Sequence, residues 1–227
     1  MLSIRLLHAE LIKAKRTSVI YLAIVIPIIY SLLTLFILFF EQQKESLHLL
    51  PDFGWLYMFL PLGLTILTSL SSNVFYSNNM WKIIMIQPIS RVSFYINHLL
   101  FIKLLILTGC IVLSICSIFI NIILFQETPL PWNSIISSCL ISWVCSMPVI
   151  SFQVLIGIKF KSIAASLSIG IAGFFFSLIS YYQASFLGMW HYPLSTIEGN
   201  NSYLIILSIF LSCFFTVIGV ISLLKTE

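Results

Sequence analysis

The chain has 227 residues, 60% of them hydrophobic and only 8% charged, with a mean hydropathy of +1.10 and a formal net charge of +4. Soluble domains carry about 25% charged residues, and a soluble globule built from this chain would expose large apolar patches. Composition excludes a soluble enzyme, a nucleic-acid-binding domain and a disordered chain, and leaves a polytopic membrane protein.

In chain order, residues 1–18 come first. Ile4, Leu7, Leu11 and Ala14 recur at helical spacing, with Arg5, Lys13 and Arg16 mostly opposite and Lys15 beside them. Glu10 can pair with Lys13 at i,i+3. The pattern predicts a helix lying along the inner membrane surface; the alternative is an ordinary basic flank of the first span.

Six apolar segments then reach membrane-spanning length, about 20 residues: 19–40, 53–75, 104–125, 134–158, 162–182 and 203–224. Backbone groups in lipid must be satisfied within the segment, so each is expected to be helical. The first is too long for a signal-peptide core of about 7–15 residues and is expected to be retained. Pro27, Pro61 and Pro148 fall inside spans, where a proline bends a helix.

Between the second and third spans, Ser77-Asn78-Asn79 can cap a short helix beginning near Met80. Pro88 should stop it, and Ser90 can cap the next helix, which runs through Asn97 into the third span. This short helix would be a lever for a cytoplasmic partner, or else a solvated connection. In the fifth span Ser162, Ser166, Gly170, Gly173, Ser177, Ser180 and Ala184 line one face. Small faces let helices approach closely in lipid. The face serves packing within the chain, or a subunit interface, or a substrate path. Residues 183–202, with Trp190, His191 and Tyr192, are too apolar for a solvated loop and too short to span. They suggest a re-entrant or interfacial element, or an aromatic anchor at the headgroups.

All of the 11 basic residues except Lys44 fall before span one, between spans two and three, between spans four and five, or after span six. That asymmetry places both termini in the cytoplasm. No acid lies within any span, and Lys103 can snorkel from the start of the third. There is no HExxH, no Walker loop and no histidine–cysteine ligand set; the four histidines are scattered, and the five cysteines lie in apolar runs. A pump built on this chain needs energy from elsewhere.

The ordered pieces resemble the permease subunits of ABC-2 type transporters. They are His8-Ala9-Glu10-Leu11-Ile12-Lys13-Ala14-Lys15-Arg16 before span one, then Asn79-Met80-Trp81-Lys82 followed by Gln87-Pro88-Ile89-Ser90-Arg91. Gln87 stands where leucine is commoner. The resemblance implies an all-α membrane protein: a single permease domain of six transmembrane helices, with an N-terminal interfacial helix and a short cytoplasmic coupling helix. It assigns Asn79, Trp81, Lys82, Gln87, Pro88, Ser90 and Arg91 to ATPase coupling, and Glu10, Lys13, Lys15 and Arg16 to the interfacial helix. Partners would be a cytoplasmic ABC ATPase carrying ATP and Mg, and a second permease, identical or similar; this chain would bind no cofactor, metal or nucleic acid. The small size is similar to permeases of lantibiotic self-protection exporters in a bacterial inner or sole membrane. Permeases for drugs, ions or haem-related substrates would look much the same, and an intramembrane enzyme is a more distant alternative.

Overall fold

The computed structural model describes residues 2–15, 17–41, 59–77, 90–124, 132–160, 162–179, 186–193 and 202–225. Seven α-helices are seen among them: α1 (Leu2–Lys15), α2 (Val19–Glu41), α3 (Leu60–Ser77), α4 (Arg91–Leu124), α5 (Trp132–Phe160), α6 (Ile163–Ile179) and α7 (Ser202–Lys225). A 3₁₀ turn, Phe186–His191, lies between α6 and α7. No strand occurs among the described residues. Segments of α2, α4, α5 and α7 are long and apolar enough to cross a membrane, and α6 holds a shorter apolar stretch, Ile163–Phe176. The described part of the predicted second span is α3.

The helix of the third predicted span begins at Arg91, well before position 104, and runs for 34 residues. At 1.5 Å per residue it is about 50 Å long, against about 30 Å of hydrocarbon. The extra turns give α4 room to touch α1, α2, α3, α5 and α7, while α5 meets α3, α4, α6, α7 and the 3₁₀ turn still more extensively. The most extensive pairing is between α5 and α7.

Proline and glycine together set the α2–α4 contact. Pro27 has no N–H, so the Ala23 carbonyl one turn earlier loses its helical donor. Gly109 of α4 lies against that carbonyl, so close that a Cβ on it would sit 3.2 Å from the Ala23 oxygen. Several hydroxyls inside the bundle are satisfied by their own helices. Ser31 Oγ donates to the Pro27 carbonyl at 2.7 Å, Thr68 to Leu64 at 2.8 Å and Ser208 to Leu204 at 2.7 Å. Such back-bonding lets polar residues sit in apolar surroundings. The outward faces are apolar, including Leu32, Phe36 and Phe39 on α2 and Ile206 and Phe210 on α7, as lipid contact requires.

Candidate functional site

Three polar clusters stand out among the described residues. The first docks α1. Glu10 is buried, with Lys13 Nζ 3.4 Å from its Oε1 and His98 Nδ1 of α4 3.6 Å from its Oε2. The ammonium also sits 5.6 Å from the centre of the Phe94 ring, and that ring stacks on His98 at 6.4 Å. Burial pushes the Glu10 carboxyl up, but the adjacent imidazole and ammonium outweigh it and hold the carboxyl below its ordinary range. Ala14 is buried beside Glu10, whereas Leu11 and Ile12 face away from the bundle. The amphipathic reading placed Leu11 with Ala14; in the structure the two part, and α1 turns Glu10 rather than Leu11 inward. Lys15 is exposed, and Arg16 lies outside the described residues. Thr17 ends the helix, its N–H and hydroxyl both donating to the Ala14 carbonyl, at 3.1 and 3.0 Å.

One turn before Phe94, Ser90 caps α4. Its hydroxyl accepts the Ser93 N–H at 3.2 Å and donates to Ser93 Oγ at 2.8 Å. Arg91 is the first residue of the helix. The end of the segment assigned by resemblance to ATPase coupling thus runs directly into the turn that holds Lys13. Asn79, Trp81, Lys82, Gln87 and Pro88 lie outside the described residues.

The second cluster is on the small face of α6. Ser166 Oγ accepts from Ser69 Oγ of α3 at 2.9 Å and lies 3.1 Å from the Gln153 amide of α5. With its nitrogen turned toward Ser166, that amide donates to the Ser166 hydroxyl and carbonyl, and its oxygen accepts the Gly170 N–H at 3.2 Å. Gln153 therefore grips α6 by its backbone. Gly170 makes this possible, since a Cβ there would collide with Thr65 and the Gln153 amide. A Cβ on Gly173 would lie 2.5 Å from the Trp190 ring of the 3₁₀ turn. Within this chain the face is thus packed by Ser69 and Thr65 of α3, Gln153 of α5 and Trp190 of the 3₁₀ turn; the Ser177 side chain lies outside the described residues.

The third cluster centres on Lys103 of α4. Expected to snorkel, the side chain instead turns across to α7, where its Nζ donates to Ser212 Oγ at 3.1 Å. Ser212 lies near the midpoint of α7. Its hydroxyl is 3.0 Å from Ser151 Oγ, which donates onward to the Met147 carbonyl at 3.0 Å. Both serines are buried. The Trp143 indole N–H donates to the Lys103 carbonyl at 2.9 Å and fixes α5 to the same turn. Ionisable residues within membrane helices are costly and mark functional sites more often than packing. Sequence reading missed this centre and the Glu10–His98 contact; the available sign was a run of unexplained polar positions, Ser151 and Ser212 among them, within spans.

Among the described residues no group of three metal-ligating side chains comes together. The family model described as ABC-2 family transporter protein matches residues 6–179, more than half of the chain. The match runs from α1 through α6; the 3₁₀ turn and α7 lie beyond it. No curated protein and no solved structure matches. A multi-pass apolar bundle that begins with a docked basic helix, and that carries this match over most of its length, belongs to the ABC-2 transporter family, as a membrane subunit of such a transporter.

Proposed function

We propose that this chain is the permease of an ATP-driven exporter that expels a lantibiotic or similar amphipathic peptide for self-protection. Membership of the ABC-2 family, on the match over residues 6–179, carries the reading. ATP and Mg belong to a separate cytoplasmic ATPase, and a second permease, identical or similar, completes the pathway. The Asn79–Arg91 segment docks on the ATPase: Trp81 with Ile83, Ile84 and Ile86 fills an apolar groove, while Lys82 and Arg91 meet acidic rims. The Ser90 cap and the Lys13–Phe94 contact one turn later support this reading, because they join that segment to α1 through one rigid helix.

The test is co-purification with the candidate ATPase in lipid nanodiscs. Lantibiotic peptide should stimulate ATP hydrolysis several-fold. Trp81→Ala should abolish stimulation and reduce retention of the ATPase; burying an aromatic anchor is worth about 2 kcal/mol or more at such interfaces. Unchanged association and stimulation in Trp81→Ala would defeat the coupling assignment. Stimulation by unrelated hydrophobic drugs but not by the peptide would move the substrate class.

A further inference from the structure

We infer that Lys103 is a binding site for the oxyanion of a membrane-dissolved amphiphile, on the face of the bundle where α4 meets α7. The inference goes beyond the exporter reading and stands whatever the cargo is.

An ammonium has three N–H donors. The one acceptor seen for Lys103 among the described residues is Ser212 Oγ. The hydroxyl chain is directional: Ser151 donates to the Met147 carbonyl, which leaves its oxygen to accept from Ser212, and Ser212 then presents its own lone pairs to the ammonium. This arrangement satisfies one N–H of the lysine and supplies no countercharge. Among the described residues no ion pair to Lys103 is seen. None of the chain's acids lies within the predicted spans, and Glu10 is engaged by Lys13 and His98. A second copy brings the same acid-free spans, so it cannot supply a carboxylate from its spans either. An anionic group carried by another molecule would supply the missing countercharge.

The way in is lateral. Lys103 is half-buried, and its neighbours Leu100 and Leu104 on α4 and Cys213 and Phe214 on α7 are exposed on the apolar surface. A ligand reaching the ammonium must lie against that surface, which selects an anionic head on an apolar tail. A phospholipid phosphate and a free long-chain carboxylate share this chemistry.

Native mass spectrometry of the purified chain, released from phosphatidylcholine nanodiscs, tests it. The nanodiscs are doped with phosphatidylglycerol in one arm and oleate in the other, at high ionic strength. The parent and Lys103→Arg should retain one anionic molecule per chain in preference to phosphatidylcholine. Lys103→Gln and Lys103→Met should each lose at least tenfold of that retention; two variants guard against one failing to fold. Lys159→Gln, at an exposed position near the end of α5, should leave it unchanged. Retention confined to phosphatidylglycerol assigns a lipid phosphate, retention confined to oleate assigns a carboxylate, and both together assign the shared oxyanion site. Equal retention in the parent and the neutral variants, or no preference over phosphatidylcholine in the parent, overturns the inference.

Discussion

Glu10 of α1 and His98 of α4 face each other 3.6 Å apart, and both side chains are buried. This contact, with Lys13 on its flank, is the polar link between α1 and the bundle. Leu11 and Ile12 point the other way, so α1 is held inward by charge and outward by lipid.

Glu10 is buried against Lys13 and His98, and losing a buried polar partner costs about 1–3 kcal/mol. Glu10→Ala should therefore release α1. Amide hydrogen exchange across residues 2–15 should rise at least tenfold, while α5 and α7 stay protected. Unchanged exchange in α1 would show that Leu11 and Ile12 alone hold the helix in place.

The same carboxylate sets an acid limit. Its folded pKa lies below the ordinary value of 4.5. A depressed carboxyl pKa contributes stability that is fully present above the unfolded value and is lost as pH falls through the folded one. Docking of α1 should thus survive mild acid and weaken only below the ordinary carboxylate range. In Glu10→Gln that acid transition should disappear. Exchange measured in α1 between neutral pH and pH 3 reads it directly.

Gly170→Ala places a methyl group where Thr65 and Gln153 already stand, and overpacking of this kind costs about 1–3 kcal/mol. The thermal midpoint in detergent should fall by several degrees. Gly170→Leu and Gly173→Leu should be worse. Phe175→Leu should be mild, since Phe175 is 57% exposed. Equal midpoints for the glycine variants and Phe175→Leu would mean that the α6 backbone does not need Gln153.

Basic asymmetry predicts both termini in the cytoplasm with six spans. Cysteines introduced at Glu45 and Glu127, in a background lacking the native cysteines, should react with an impermeant thiol reagent in intact cells. Cysteines at Lys15 and Lys159 should react only after permeabilisation. Protection of the first pair would reject the topology.

Long apolar runs made the helices readable, because length and hydropathy are local properties. The small face of α6 was readable for the same reason: Ser166, Gly170 and Gly173 recur at steps of four and three. What occupies that face was not. Gln153 reaches Ser166 from another helix, and Lys103 reaches Ser212 across 109 positions; no periodicity encodes such partners. The orientation of α1 misled for a different reason. Apolar residues on a soluble helix seek the protein core, but at a membrane surface Leu11 can satisfy itself in lipid while Glu10 needs a protein partner.

Trp190 sits at 6% exposure between Gly173 and Phe152, meeting the Phe152 ring edge-on at 5.8 Å. The 3₁₀ turn thus works as a stopper, filling the gap between α5 and α6 with an indole. A molecule as bulky as a peptide has no passage there unless the turn withdraws. The open apolar groove between α2 and α3, about 230 Å³ and bordered by Ile26, Ile29, Phe59 and Ile66, lies on the outer surface instead. The described residues of one copy thus form a wall rather than a tube.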